Sequence, residues 1–293
     1  MKKITDILVD DGVKSGVYLN IEAETHHGRN RMSPSRLASG LLDHREIDPS
    51  AIRMAYEGSL TFTAAQQDRM DRGTLAHLAL LQPEKLVTHV AVWYGGKRAG
   101  AEWNEFEVEN ASKLIVKRDD YDFVMDAVKQ FRFNKEINDL LSDGDTEVEL
   151  VSKEGRIFVC GQVDFVKRGR VKIVDLKSTD AGLHDKALEY TTRDQHYREK
   201  MSCYWKWLQR EQNVEVEQCW NVFLRLKPPV GIVARKFTTQ ALEWGWARML
   251  AALQSVDECL DKGWPIYFRS DISDVAPFEM DEGEEVTFGG ETI

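Results

Sequence analysis

The chain has 293 residues, 39 Lys and Arg against 49 Asp and Glu, a formal net charge of −10, and 42% hydrophobic and 30% charged residues. No apolar run approaches the roughly 18 residues that span a bilayer, and MKKITDILVDDG lacks the apolar block of a signal peptide, so a cytoplasmic protein without membrane attachment is expected. Cys160, Cys203, Cys219 and Cys259 form no CxxC pair, which indicates neither a zinc knuckle nor a disulfide framework and predicts four reduced thiols.

In chain order, residues 1–30 read as a loose lead-in. Ser33 before Pro34 is a good N-cap, with Pro at the first helical position, and predicts a helix to about Leu42. Ala65, Met70, Leu75, Leu78 and Leu81 suggest a second helix over 63–81, closed by Pro83. Phe123, Val124, Ala127, Val128, Phe131, Ile137, Leu140 and Leu141 recur at helical spacing and predict a helix ending before Gly144. The period then changes. TEVELVS alternates, RIFVCGQVDFV is rich in β-formers, and VKIVDLKST reads as a short buried strand, with Lys167, Arg168, Gly169 and Arg170 turning the chain between the last two. A helical stretch over 183–211 carries Tyr197, Met201, Tyr204 and Leu208 on one face. VEQCWNVFLRL and GIVARKF follow as strands across the Pro228–Pro229 break, and a last helix over 239–262 stops at Gly263. Helices, three strands, a helix, two strands and a helix describe an α/β core with a central mixed sheet flanked by helices.

Charge is unevenly spread. Residues 271–293 carry eight acidic residues and no Lys or Arg, which leaves 41 acidic against 39 basic residues in 1–270. The tail is expected to lack fixed structure, and the body is nearly neutral with room for basic faces. Two such faces are visible, one around Lys167, Arg168, Arg170, Lys172 and Lys177, the other around Arg193, Arg198, Lys200, Lys206 and Arg210.

Asp164 and Asp175 stand on consecutive strands joined by a tight basic turn. Strand side chains alternate with period two, so Lys177 shares the face of Asp175, and two carboxylates and an amine converge at one end of a sheet. Hard divalent cations take carboxylate oxygens, carbonyls, water and phosphate, and a nearby Lys stabilises or helps deprotonate an attacking water. Such a group would hydrolyse a phosphodiester.

GQVDFV followed by IVDLKST resembles the paired motif of the PD-(D/E)XK nucleases. GTLAHLALLQPEKL resembles the G-x-x-x-H helix of their RecB-like and RecE-like (exodeoxyribonuclease VIII) branch, and SPSRLASGLL, TEVELV, SCYW and GWP fall in the order of RecE-type phage or prophage exonucleases. The resemblance covers about residues 31–267. It implies a restriction-endonuclease-like core over 31–270, with Asp164, Asp175, the Leu176 carbonyl, His77 and Glu147 as metal ligands and Lys177 as catalytic lysine. Glu149, on the same strand face as Glu147, competes with it. Tyr204 matches the end of a Q-x-x-x-Y motif whose Gln position holds Lys200, and both are expected at DNA.

It further implies a Mg²⁺-dependent exonuclease acting on double-stranded DNA ends, with Mn²⁺ able to substitute, in a bacterial host cell. A ring-shaped homo-oligomer and a single-strand annealing protein are its expected partners. The late Cys group that holds an iron–sulfur cluster in some relatives is missing, so no such cluster is expected. Lys167, Arg168, Arg170, Arg193 and Arg198 would guide DNA, and Trp93, Tyr94 and Trp103 near Lys97 and Arg98 are further candidates for contacting it. An endonuclease of the same fold, and a catalytically degenerate DNA- or protein-binding module, remain open alternatives.

Overall fold

The computed structural model describes residues 2–19, 21, 23–42, 46–58, 63–264, 287–288 and 291–292. Its centre is a six-stranded mixed sheet, in the spatial order β1 (Gly16–Tyr18), β4 (Gly144–Glu154), β5 (Ile157–Lys167), β6 (Lys172–Thr179), β7 (Gln218–Arg225) and β8 (Gly231–Lys236). Every pairing is antiparallel except β6 with β7, which are parallel. A parallel pair needs a crossover, and helices α9 (Asp185–Asp194) and α10 (Tyr197–Gln212) supply it.

Two hydrophobic cores lie on opposite faces of the sheet. On one, Met201, Tyr204, Trp207 and Leu208 of α10 pack with Leu150, Val159, Val163 and Ile173, together with α2 (Pro34–Ala38), α3 (Pro49–Glu57) and α11 (Thr239–Lys262). On the other, Leu75 and Ala79 of α4 (Ala64–Leu81) and Val124, Val128 and Phe131 of α7 (Arg118–Phe131) pack on Phe165, Val174, Leu176 and Val222. This second layer also holds α8 (Lys135–Leu140) and a small parallel pair, β2 (Val90–Trp93) with β3 (Leu114–Lys117), connected through α6 (Ala101–Glu109) after the short α5 (Leu86–His89). The fold is thus the mixed α/β architecture that the sequence pattern predicts.

Several boundaries differ from the periodic reading, each for a local reason. The expected single helix before Gly144 is two, because the Asn134 side chain accepts the Ile137 amide and starts α8 afresh. The stretch 183–211 is likewise broken where His196 adopts a left-handed conformation at φ 52°. Helix α2 ends at Ala38 rather than Leu42, since Gly40 turns against α3 so closely that a Cβ there would lie 2.4 Å from the Asp48 carbonyl oxygen. Four free, buried cysteines agree with the expected reduced thiols. The acidic segment 271–293 lies outside the described residues except for the short antiparallel pair β9 (Thr287–Phe288) and β10 (Glu291–Thr292).

The segment read as a loose lead-in is built into the domain. Ile4 and Ile7 are buried in the first core, β1 edges the sheet, and α1 (Ala23–Gly28) brings His26 to Glu149. Glu149 is wholly buried and accepts from Arg29 Nε and Nη2, both at 2.7 Å, with His26 Nδ1 at 2.8 Å. Burial opposes its charge, but these bonds prevail and hold its carboxyl below the usual range. Glu149 is therefore an anchor for the N-terminal segment. Truncating one partner of a buried pair leaves the others uncompensated, so Glu149→Ala is expected to lose about 3–5 kcal/mol in urea unfolding. A loss under about 1 kcal/mol would show that the segment is held by its apolar contacts alone.

Candidate active site

The ladder between β5 and β6 runs only through Lys167↔Lys172, Val166↔Ile173 and Phe165↔Val174. Asp164 and Asp175 are the next facing positions, where the strands part. The Leu176 amide donates instead to Asp164 Oδ2 at 2.6 Å, so a side chain takes the place of a strand. On the far side of Asp164 the register sets Glu147 of β4 opposite, at φ 50°, a left-handed conformation rare for a residue with a long side chain. The sheet changes face at this level. Val163 packs into the α10 core, whereas Phe165, two residues on, packs into the α4–α7 core. The gap between β5 and β6 is thereby reachable from both helical layers.

Helix α4 crosses this gap. Gly73 lies so near β6 that a Cβ there would meet Ser178 Oγ at 2.7 Å, and one turn further His77 brings Nδ1 to 3.8 Å from Asp164 Oδ2. The G-x-x-x-H spacing is therefore an approach distance: the glycine admits the helix, and the histidine uses the admission. From the opposite layer comes the start of α10. The Tyr197 ring has Lys177 Nζ at 5.2 Å and Lys200 Nζ at 5.5 Å from its centroid. Tyr204, one turn beyond Lys200, is buried against Gly161, where a Cβ would come within 2.7 Å of its ring.

As the alternation of β6 requires, Asp175 and Lys177 share a face and form an ion pair. Asp175 is buried, and burial together with the Asp164 charge pushes its carboxyl up to about 6 despite the neighbouring ammonium. Asp164 is likewise raised by burial, with Lys177 and the Leu176 amide opposing. Burial alone would discharge Lys177, but the charges of Asp175 and Asp164 raise it on balance, so it is a cation at neutral pH. Burial and the Lys177 charge lower His77 to about 4, leaving a neutral imidazole, and lower Lys200 to about 8.

A cavity of about 570 Å³ is lined by His77, Glu147, Gln162, Asp164, Leu176, Lys177 and Tyr197, with Asp175 buried beside Lys177. Asp164, Asp175, Leu176, Lys177, His77 and Glu147 are thus brought together, with Lys200 and Tyr204 behind them. The basic turn is not. Lys167 donates to the Ser142 carbonyl at 3.0 Å and to Asp139, Arg168 pairs with Asp145, and Arg170 projects into solvent 3.6 Å from Glu217, so the turn braces the loop after α8 and lies outside this cavity. Arg193 and Arg198 line a separate cavity of about 850 Å³, where Arg193 stacks on Tyr190 at 4.5 Å and Arg198 on Trp244 at 3.7 Å. Trp93 and Trp103 pack edge to face at 5.4 Å, with Arg98 over Trp103, as an internal cluster rather than a DNA-facing pair. Tyr94 and Lys97 are exposed. Sequence reasoning missed the role of Tyr197 between two lysines, and only its place on the Tyr204 face of the helix could have signalled it.

No family model and no curated protein matches the chain. Among solved structures, that of "Putative exonuclease" from Eubacterium rectale superposes with a TM-score of 0.59 at 11% identity, over 85% of this chain and 89% of that one. The fold is shared with that protein. A "phage related exonuclease" from Haemophilus somnus 129PT aligns over 79% of this chain and 96% of its own at 13% identity, with a TM-score of 0.37, below what a common fold requires.

The raised Asp175 carboxyl has a sign that can be measured. Below its ordinary value near 3.8 it is protonated folded or unfolded; between there and about 6 only the folded chain holds the proton. That favourable contribution is lost as pH rises through about 6, and above it burial of the charge weakens the fold. Asp175→Asn, which fixes the neutral form, is expected to melt higher than the wild type at pH 8, with the gap closing at pH 4 in thermal unfolding. A lower melting point at pH 8 would mean that the pair with Lys177 outweighs the burial.

Proposed function

We propose that the protein is a divalent-cation-dependent nuclease of the PD-(D/E)XK type that hydrolyses phosphodiester bonds at double-stranded DNA ends as an exonuclease. The observation that carries the reading is the meeting of Asp164, Lys177 and His77 in a cavity where the β5–β6 ladder opens, with the buried Asp175 paired to Lys177 behind its wall. The fold shared with a protein called an exonuclease favours the same reading.

Whether the residues suit a cation is a matter of donor chemistry. Among the described residues no three His, Cys, Asp or Glu side chains form a metal cage. Mg²⁺ does not require one, since it keeps several waters and is commonly held by one or two carboxylates together with substrate phosphate. Asp175, buried, and Asp164, partly exposed to the cavity, are two carboxylates in contact and reluctant to ionise together, and are the pair that a hard cation would relieve. They would hold it, with the Leu176 carbonyl, Glu147 and His77 as further donors. When bound, the cation would polarise the phosphate and acidify a water.

The chain's own groups have separate tasks. Lys177, cationic and fixed by Asp175, supplies positive charge to the phosphate as negative charge grows on its oxygens. Lys200 adds a second ammonium beside the same Tyr197 ring, suited to the phosphate backbone as a point charge. His77, neutral at working pH, keeps a ring nitrogen lone pair available as a donor 3.8 Å from Asp164. Hydrolysis then places the water oxygen on phosphorus and breaks the ester bond to the leaving sugar oxygen, the attacking water giving its proton to solvent and the sugar oxygen taking one up.

Nucleotide release from linear duplex DNA with Mg²⁺ decides the reading. Asp175→Ala and Lys177→Ala are each expected to lower kcat at least about 100-fold, while both proteins stay folded by circular dichroism. Undiminished release in both would sink the mechanism, and cleavage of covalently closed circles would move the assignment to an endonuclease. A smaller loss, mainly in KM, is expected for Lys200→Ala and should shrink as salt is raised, because screening removes the same attraction from the wild type.

A further inference from the structure

The polar row at the site extends beyond Asp175. Parallel pairing of β6 with β7 sets Asn221 beside Asp175, and antiparallel pairing of β7 with β8 sets Arg235 beside Asn221. Facing positions in a ladder share a side of the sheet. Asp175, Asn221 and Arg235 therefore share one side across three strands. Within β7 the other buried side chains are apolar: Cys219, Val222, Phe223 and Leu224.

Asn221 is the anomaly in that row. It is wholly buried, and neither Nδ2 nor Oδ1 has a hydrogen-bond partner. A sealed amide with both ends unmade is rarely retained without a use, because an apolar residue of similar size would remove the cost. Neighbouring strands run about 4.8 Å apart, so a side chain on the same face of the next strand is within hydrogen-bond reach of the Asp175 carboxylate after a rotamer change. In the present arrangement that carboxylate is engaged on its other sides by the Lys177 ammonium and by a hydrogen bond with Asp164.

We propose that Asn221 is a positioning residue for Asp175, its Nδ2–H donating to the carboxylate oxygen on the β7 side after a rotamer change. The proposal rests on the nuclease reading of the site and deepens it. A neutral donor is the residue type that the position asks for. An acid would add a third like charge to the row, and an aliphatic residue would leave Asp175 steered by Lys177 alone. Partners that orient a ligating carboxylate in this way usually change metal affinity or activity by about 10–100-fold when removed.

The test compares Asn221→Ala with Asn221→Ser, which keeps a small donor. Mg²⁺ affinity by calorimetry and kcat on linear duplex DNA are expected to fall about 10–100-fold in Asn221→Ala and to recover in part in Asn221→Ser. KM for DNA and the melting temperature without cation should stay near wild type, which a merely structural residue would not allow. Wild-type affinity and kcat in a folded Asn221→Ala would overturn the proposal. A wild-type protein that neither binds Mg²⁺ nor cleaves DNA would instead sink the nuclease reading. Independently of activity, a crystal structure of the full chain with Mg²⁺ should show Asn221 Nδ2 within about 3.2 Å of an Asp175 oxygen; an amide held only by water or by α10 would refute the assignment.

Discussion

The hydrogen bond from the Leu176 amide to Asp164 Oδ2, 2.6 Å long, is the interaction from which the rest of the site follows. A ladder that continued past Phe165↔Val174 would use that amide for a β5 carbonyl and close the sheet over the site. Giving the donor to a carboxylate satisfies it and lets the strands part without leaving a buried amide unmade. The parting exposes one edge of β5 to α4 and one edge of β6 to α10. Asp164, Asp175 and Lys177 can then meet a ligand while remaining on rigid strands. The left-handed Glu147 belongs to the same event, since it turns β4 where β5 changes cores.

How much of this was legible depended on the period involved. Asp175 and Lys177 were readable because alternation is a local rule, and Gly73 with His77 because four residues make about one helical turn. Strands β1, β2 and β3, with three or four residues each, are too short to show a period at all. Helix breaks at Asn134 and His196 lay within stretches of continuous helical spacing, where a cap or one positive φ decides the outcome without altering the hydrophobic pattern. Glu147 and Glu149 were indistinguishable by alternation. What separates them is long-range, because His26 and Arg29 reach Glu149 across more than a hundred residues of sequence while Glu147 stands opposite Asp164. Basic residues were the least legible class. Sequence counts their charge but not their partners, and Asp139, Ser142 and Asp145 had already engaged the turn that was expected to meet DNA.

The electrostatics of the site explain why a net charge of −10 is a poor guide to its ligand. At the site Lys177 and Lys200 stand beside Asp164, Asp175 and Glu147, and what each charge does there is set by burial and by its neighbours rather than by the chain's total. Burial amplifies each interaction and penalises each unpaired charge. Two carboxylates in contact are then a stored instability, held in check by one lysine. A positively charged ligand relieves them directly, and a polyanion alone would not.

That instability also bears on which contacts the fold had to supply elsewhere. A site whose acids resist ionisation weakens the sheet at its centre, and the compensation is visible in the two layers clamped over it. Gly161 lets α10 lie close enough for Tyr204 and Trp207 to seal β5 from one side, and Gly73 lets α4 seal β6 from the other. Each glycine gives up some helix or strand propensity to bring a large apolar surface against the strands that carry the acids. Rigid walls keep Asp164 and Asp175 in contact, whereas a looser fold would let water separate and ionise them. The close approaches and the raised carboxyl at Asp175 are therefore one arrangement: tight packing on both faces creates the strained acid pair and also withstands it.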